Sequence, residues 1–403
     1  MERSTTTSQW CLAAIASLAI AGCATPSAAP SDTGDLAFDQ AINSATDALI
    51  AQADKLPGFL AVLADVEAKI AKRQVVVDPM LDASSGQQTA LTQRLEQGVV
   101  ARLRATHPQF EILPFESANL AKATHLITGT TTRVQGDKGS RAIRIDLALT
   151  ELKTRNVIAQ ASARARDEGL DTSPTAYYSD SPILVKDNVV EGYIRTSSTH
   201  PVNLADGLYL DRISTATVVS DAARAYNAGQ YEQSLGFYQQ AAGATGGEQL
   251  RVLNGIYLAE WKLGRTTEAE RAFGKVVAFG ISNNNLGVKF LFNPGTTDFW
   301  SDQKVSGPYP MWLRQIARQA AAAKACINIV GHTSHTGSPA LNDRLSEQRA
   351  AYIKQRLEAE APELSTRSGA SGMGFRENIV GTGTDDARDA LDRRVEFKII
   401  SCR

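Results

Sequence analysis

Cys326-Ile-Asn-Ile-Val-Gly-His-Thr-Ser-His-Thr-Gly-Ser338, running on to Leu345-Ser-Glu-Gln-Arg-Ala350, is the stretch from which the rest of this chain can be read. Ile327, Ile329 and Val330 form an apolar run of strand length, and small polar residues from Gly331 to Pro339 break it. Beyond the break Leu345, Ala350, Ile353 and Leu357 recur at roughly three- and four-residue steps, as on one face of a helix. The pattern predicts strand, polar loop and amphipathic helix in succession. Such a unit presents backbone N–H groups, hydroxyls and the Arg349 guanidinium to one pocket. A helix N-terminus and a forked guanidinium both favour carboxylates, so the predicted ligand is anionic or zwitterionic.

Three further blocks join this one: Gly372-Met-Gly374, Leu391-Asp-Arg-Arg-Val-Glu-Phe397, and the alternating Val288-Lys-Phe-Leu-Phe-Asn293, which predicts a first strand. Together with GHTSHTGS and LNDRLSEQRA they resemble the OmpA C-terminal, peptidoglycan-associating domain over residues 286–403. The resemblance implies an α/β sandwich that binds a peptidoglycan stem peptide through Asn293, Thr333, Ser334, Asn342, Arg349, Arg393 and Arg394. In that family an aspartate after the GHT triplet and the arginine of LSxxRA hold diaminopimelate. Arg349 occupies the arginine position, whereas Ser334 stands where the family has aspartate. A hydroxyl can hydrogen-bond a ligand but cannot pair with an ammonium, and charge-assisted bonds are roughly twice as strong as neutral ones. The alternative for Arg349 is local, a bond to the loop backbone. At least one of Arg393 and Arg394 is expected to pair with a carboxylate that holds the pocket.

Composition excludes other classes. At 403 residues the chain exceeds one ordinary core, so two to four domains are expected. A formal net charge of -1 with 43% hydrophobic residues fits a globular protein and not a nucleic-acid binder. Arg3 precedes a short apolar run from Trp10 to Ala21, the form of a secretory signal, expected over residues 1–22. Its Leu18-Ala-Ile-Ala-Gly-Cys23 ending resembles a bacterial lipobox. That resemblance implies a lipid (palmitate among its chains) on Cys23, and Ala24 in place of the retaining aspartate implies the periplasmic face of the outer membrane. Residues 23–40 are small and polar and are expected to act as a flexible tether. Cys326 and Cys402 are then the remaining thiols, and in an oxidising periplasm they are expected to form a disulfide; two separately buried thiols are the alternative.

Residues 41–184 read as an α/β sheet domain. A helix is predicted through Ala61, Val62, Val66 and Ile70, and another over Thr89–Leu103. Strands are predicted at Gln74–Asp78, Phe110–Phe115, Ala123–Thr130, Arg141–Leu149 and Val157–Ala163. Alternation of Ile143, Ile145, Leu147 and Leu149 with small or polar neighbours predicts a sheet covered on one side. VVVDP, FEILPF, THLITGT and LTELKTRNVIAQA resemble the FlgO-type domain of outer-membrane lipoproteins, related to the CsgG and LpoB folds, which implies a protein-binding module. His107 and His125 read as structural. Residues 185–214 are expected to link this domain to the next.

Over residues 215–285 the period turns helical. Ala225-Tyr-Asn-Ala-Gly229-Gln-Tyr231 is echoed around Gly264, 35 positions on, close to the ~34-residue tetratricopeptide period. The echo resembles one and a half to two TPR units, too few to stand alone, so the helices are expected to lean on a neighbour. Tyr226, Tyr231, Phe237, Tyr238 and Phe273 are expected in the core. The fold class is thus multidomain α+β: sheet domain, central helical hairpins and C-terminal α/β sandwich.

Catalytic signatures are missing from the sequence: it carries no HExxH, GxSxG or P-loop pattern, and His332 and His335 lie on a loop without a third ligand in view. No enzyme activity, cofactor or metal is expected. The expected function is a lipid-anchored outer-membrane protein that grips peptidoglycan and presents its other regions to a protein partner. The alternative is an envelope assembly or scaffold factor whose last domain has lost diaminopimelate binding through Ser334 and binds protein instead.

Overall fold

The computed structural model describes residues 34–55, 72–293, 295–381, 383, 389 and 391–402. The predicted signal, Cys23, most of the predicted tether and the helix expected through Ala61–Ile70 lie outside the described residues. The fold begins earlier than expected, within the stretch assigned to the tether. Leu36 bridges to Ala165, and α1 (Phe38–Ala53) buries Phe38, Ala41, Ile42, Ala45 and Leu49. That spacing is a helical stripe, and it packs onto a sheet.

The sheet holds β1 (Arg73–Val77), β2 (Leu81–Asp82), β3 (Phe110–Leu113), β4 (His125–Gln135), β5 (Arg141–Glu151) and β6 (Val157–Arg166). Their order is β3-β1-β4-β5-β6, with β2 beside β4. β1 runs parallel to β3 and β4, and β4, β5 and β6 form an antiparallel meander. Helix α2 (Ala90–Thr106) joins α1 over one face, where Val75, Val77, Ile127, Ile143, Ile145, Leu147 and Leu149 are buried. A short α3 (Ser117–Leu120) follows β3.

The expectation of a sheet covered on one side is corrected. After α4 (Ala176–Asp180), the segment read as a linker folds into α5 (Asn188–Ser197) and α6 (Gly207–Asp211). These cover the second face, where Tyr193, Tyr209 and Ile213 pack on Val76, Leu126, Ala148 and Val157. Beside these apolar residues the face carries small or hydroxylated ones, Thr128, Thr130, Ala148 and Thr150, all buried. In sequence they look solvent-facing; in the fold their small size admits close helices. The Tyr193 hydroxyl pins α5 to β4, donating to the Gly129 carbonyl and accepting from the Gly129 N–H, both at 3.0 Å.

Two helix hairpins follow, α7 (Ile213–Asn227) with α8 (Tyr231–Gly243), and α9 (Leu250–Lys262) with α10 (Thr266–Ser282). Gly229 and Gly264 occupy equivalent turns at φ 75° and 73°, a left-handed conformation that favours glycine. Asp187 ties these hairpins to the sheet domain, its carboxylate accepting from Val189 and Val190 at the start of α5 and from Leu250 at the start of α9. Tyr226, Tyr238 and Phe273 are fully buried, with Tyr231 and Phe237 packed against them.

The C-terminal part contains β7 (Gly287–Val288), α11 (Gln303–Ser306), α12 (Tyr309–Ala322), β8 (Cys326–Gly331), α13 (Pro339–Glu360), β9 (Ser368–Gly372) and β10 (Val395–Ile400). Sheet order is β7-β10-β8-β9, with β8 parallel to β9 and antiparallel to β10. The first strand, expected over Val288–Asn293, is only two residues long. Phe290 and Phe292 are buried, which explains the alternation. Their backbone, however, turns inward: Leu291 N–H donates to the Tyr309 hydroxyl, and the Leu291 carbonyl accepts from Trp300. Cys326 faces Ile400 in the β8–β10 register, and Cys326 and Cys402 form a disulfide across a Cα separation of 5.2 Å.

Asp35–Arg403 is one compact unit. A single apolar core runs from Tyr226, Tyr257 and Phe273 of the hairpins through Trp312 and Ile316 of α12 to Ile327, Ile353 and Phe397. The Trp312 indole N–H donates to the Tyr257 hydroxyl at 2.8 Å, and Arg314 grips Glu270 through two bonds. Among the described residues no helix is long and apolar enough to cross a membrane. Because the hairpins and the C-terminal sheet share this core, they are expected to unfold together in urea. Trp312→Ala should lower stability by about 3–5 kcal/mol in that shared transition, as for other buried aromatic truncations. Separate transitions for the two regions in the unmodified chain would contradict the shared core.

Candidate functional site

The site grows from the β8–α13 junction. Gly331 ends β8 where a Cβ would lie 2.1 Å from the Ser346 carbonyl oxygen, so only glycine lets the helix lie this close. Gly372 ends β9 in the same way, with a Cβ falling 2.4 Å from the Glu347 nitrogen. Ser346, fully buried, accepts from the Gly374 N–H and donates to the Asp343 carbonyl. The close seat of α13 fixes the direction of the loop between His332 and Ser338. Ser338 caps the helix by accepting from Leu341 N–H, and Pro339 starts it.

Asn342, Leu345 and Arg349 fall at i, i+3 and i+7 on α13 and face one cavity of about 770 Å³. Thr333, Ser334, Thr336 and Gly337 line it from the loop, Leu391 and Arg393 from the strand β10 approach, and Trp300 and Leu341 give it a partly exposed apolar rim. The structure therefore brings Thr333, Ser334, Asn342, Arg349 and Arg393 together. Arg349 donates to the carbonyl oxygens of Thr296 and Asn293 at 3.1 and 3.2 Å, with its guanidinium 4.8 Å from the centre of the Phe292 ring. The backbone of the 293–296 segment thus holds the Arg349 guanidinium while the residue lines the cavity. Asn342 donates to the Thr336 and Ser338 carbonyls, and Ser334 Oγ lies 3.2 Å from Thr336 Oγ1. Asn293 meets the site through its backbone carbonyl.

Arg394 is placed elsewhere. It grips Glu396 through two bonds, at 2.8 and 2.5 Å, and donates to the Glu377 carbonyl. His332, fully buried, stands 3.6 Å from Glu396 and 4.0 Å from Glu377, and Lys398 reaches both carboxylates at 3.6 Å. His332, Glu377 and Glu396 are close enough to one another to hold a cation. Arg394 and Lys398 already neutralise the two carboxylates, so the arrangement serves as an ion-pair network beneath the loop. His335 takes no part in it; its ring lies against Phe375. Burial raises the Glu396 carboxyl, but the His332 contact and Arg394 outweigh it and bring it down to about 2. Asp392, which the sequence did not single out, accepts from the N–H groups of Ile379, Val380 and Gly381 and so shapes the facing loop.

The sequence also gave no sign that other parts of the chain wall the cavity. Gln87 and Pro174 come from the sheet domain, Ser179 and Asp180 from α4 and its neighbourhood, and Lys289 from just after β7. Backbone bonds explain the approach: Ile183 bridges to Val288, and Lys289 N–H donates to the Pro182 carbonyl at 2.7 Å.

Comparison with known proteins agrees with this anatomy. Residues 291–391 match the OmpA family. Outer membrane protein A of Bordetella avium is 32% identical over 119 residues, covering 29% of this chain and 60% of that protein, so the chain spans about three fifths of this relative's length. Two solved structures are similar to under a third of this chain. The peptidoglycan-associated lipoprotein of Burkholderia pseudomallei shows 22% identity, covering 28% of this chain and 89% of its own, with a TM-score of 0.23. The cell wall anchor of the T6SS from Pseudomonas aeruginosa shows 21% identity over 29% and 80%, with a TM-score of 0.24.

The depressed Glu396 carboxyl sets an acid limit. With a folded value of about 2 against an ordinary 4.5, its contribution is present above pH 4.5 and is lost as pH falls toward 2. In urea titrations the unmodified chain should lose of order 2–3 kcal/mol more than Glu396→Gln across that window. Parallel pH profiles for the two proteins would remove Glu396 from the acid response. The strand–loop–helix geometry and the matched sequence lead to one conclusion: the C-terminal part of this chain is an OmpA-like domain.

Proposed function

We propose that this chain is a non-enzymatic outer-membrane lipoprotein that anchors to peptidoglycan through its OmpA-like domain. The observation that carries this reading is the convergence of Arg349, Thr333, Ser334, Asn342 and Arg393 on one cavity beside the start of α13. The relative from Bordetella avium is by its name an outer membrane protein, which supports the location. A guanidinium aimed by two carbonyls and backed by an aromatic ring is pre-organised for a carboxylate, as a stem peptide would offer. The LAIAGC sequence supports a lipid on Cys23. A tethered lipid and a wall contact reinforce each other through effective concentration, so even a modest site can hold the chain at the wall.

The sheet domain, read as FlgO-like, and the two hairpins, read as TPR-like units, are proposed to present a surface to a protein partner in the envelope. Ser334 in the family's aspartate position favours a second reading: a scaffold whose last domain no longer takes diaminopimelate and docks on protein.

Co-sedimentation of the full chain with insoluble diaminopimelate-type peptidoglycan separates the two. The anchor reading predicts that the unmodified chain pellets, and that Arg349→Ala weakens pelleting by about tenfold or more, the scale of one charge-assisted contact. An unchanged urea midpoint for the variant keeps the result about binding. A chain that stays in solution while Ser334→Asp pellets favours the scaffold. In cells, Cys23→Ser should move the chain from the membrane to the soluble fraction, and continued membrane association would discard the lipid anchor.

A further inference from the structure

Lys289 is a charged residue that the OmpA-like resemblance leaves unexplained. It lies outside the matched residues 291–391 and is only 9% exposed. Its ammonium donates to the carbonyl oxygens of Tyr178 and Ser179, both at 3.2 Å. Those bonds use two of its three donors, and among the described residues no carboxylate is within ion-pair distance of it. Burial lowers its proton affinity to about 8, against which Asp180 pulls upward. Asp180 is itself engaged, held by Lys262 at 2.9 Å and by the Tyr226 hydroxyl at 2.8 Å. Among the described residues the ammonium thus sits in the interior without a dedicated counter-ion, a costly arrangement unless something compensates. Lys289 lines the 770 Å³ cavity that holds Arg349 and Ser334, and also a second cavity beside Tyr257 and Lys304.

We propose that Lys289 is a second carboxylate anchor of this cavity, so that its ligand is a peptide segment with two carboxylates, one at Arg349 and one at Lys289. No ammonium is then needed beside residue 334. The inference rests on the peptidoglycan reading of the cavity and makes it more specific. A carboxylate brought to Lys289 supplies the missing counter-ion in a site sheltered from water, where a charge-assisted bond gains most. A hydroxyl at 334 gives an ammonium no comparable return. The cavity walls include Gln87, Pro174, Ser179 and Asp180, so the site belongs to the full chain and not to the matched segment alone.

The test is competition, with the full chain bound to insoluble peptidoglycan and challenged by pimelate or by meso-diaminopimelate. The two probes share a carbon skeleton and both carboxylates and differ in the two ammonium groups. Pimelate should release the chain at a concentration within about threefold of that needed for diaminopimelate. Lys289→Met removes a buried charge and is expected to fold; in direct pelleting it should bind peptidoglycan about tenfold more weakly, while Lys289→Arg should stay near the unmodified value. Ser334→Asp should turn the preference toward diaminopimelate by about tenfold. If diaminopimelate releases the chain and pimelate does not, or if Lys289→Met responds like the unmodified chain, the second anchor is wrong while wall binding stands. If the chain never pellets, the peptidoglycan reading fails first, and this inference with it.

Discussion

Helix α12 is buried on two sides, and the architecture around the site depends on that. One side meets α13, with Leu313, Ile316 and Ala317 buried in the shared core; another meets α10, where Trp312 stacks on Phe273 and reaches the Tyr257 hydroxyl. A helix apolar on both sides cannot face water on either. The hairpins therefore need the C-terminal part as much as it needs them. Two hairpins are fewer than a helical repeat array usually requires to stand alone, and α12 supplies the missing layer. Glu270 shows the same dependence in polar form. Its carboxyl is drawn down to about 2, first by the hydrogen bond from Arg314, a residue of the other element.

This shared core also explains why the cavity has walls from distant sequence. With α12 clamped to α10, the stretch after α10 runs directly into β7, where Pro182 to Leu184 pair with Gly287 to Lys289. That pairing carries α4 to the mouth of the cavity. The folded unit is therefore larger than residues 286–403, and a cut at 287 would strip an edge partner from β7 and Tyr178 and Ser179 from the Lys289 ammonium. Binding measured on such a fragment would report a different site.

What the sequence made legible follows the physics of local patterns. The change from an apolar run to a helical period across the polar loop at Gly331–Pro339 located strand, loop and helix, whereas Asn342 and Arg349 were singled out through the resemblance and fall on one face of α13. Cys326 and Cys402 were legible because antiparallel neighbours put the start of one strand beside the end of the other. Residues 185–214 were not legible as a covering layer. Their helices are short, and along β4 and β5 much of the sheet face they bury is threonine and alanine, which carry little apolar signal of their own. The stretch 288–293 misled for the opposite reason: Phe290 and Phe292 are buried, as a strand would have them, while their backbone bonds serve a turn. Lys289 had no local signal at all, since its burial is produced by a segment more than a hundred residues earlier.

Residue 334 and Lys289 are then two sides of one electrostatic balance. Charges in a partly enclosed cavity are screened less than on an open surface, so the charges of its wall bear on which ligand fits. In the proposed reading Ser334 stands where the resembled family has aspartate, and Lys289 stands in the same wall, with Asp180 already held by Lys262 and Tyr226. On that reading both features favour the same ligand, one that brings carboxylates and no ammonium beside residue 334. A buried ammonium held only by carbonyls gains more from an arriving carboxylate than a hydroxyl can give an ammonium, so the lysine and not residue 334 would set the choice.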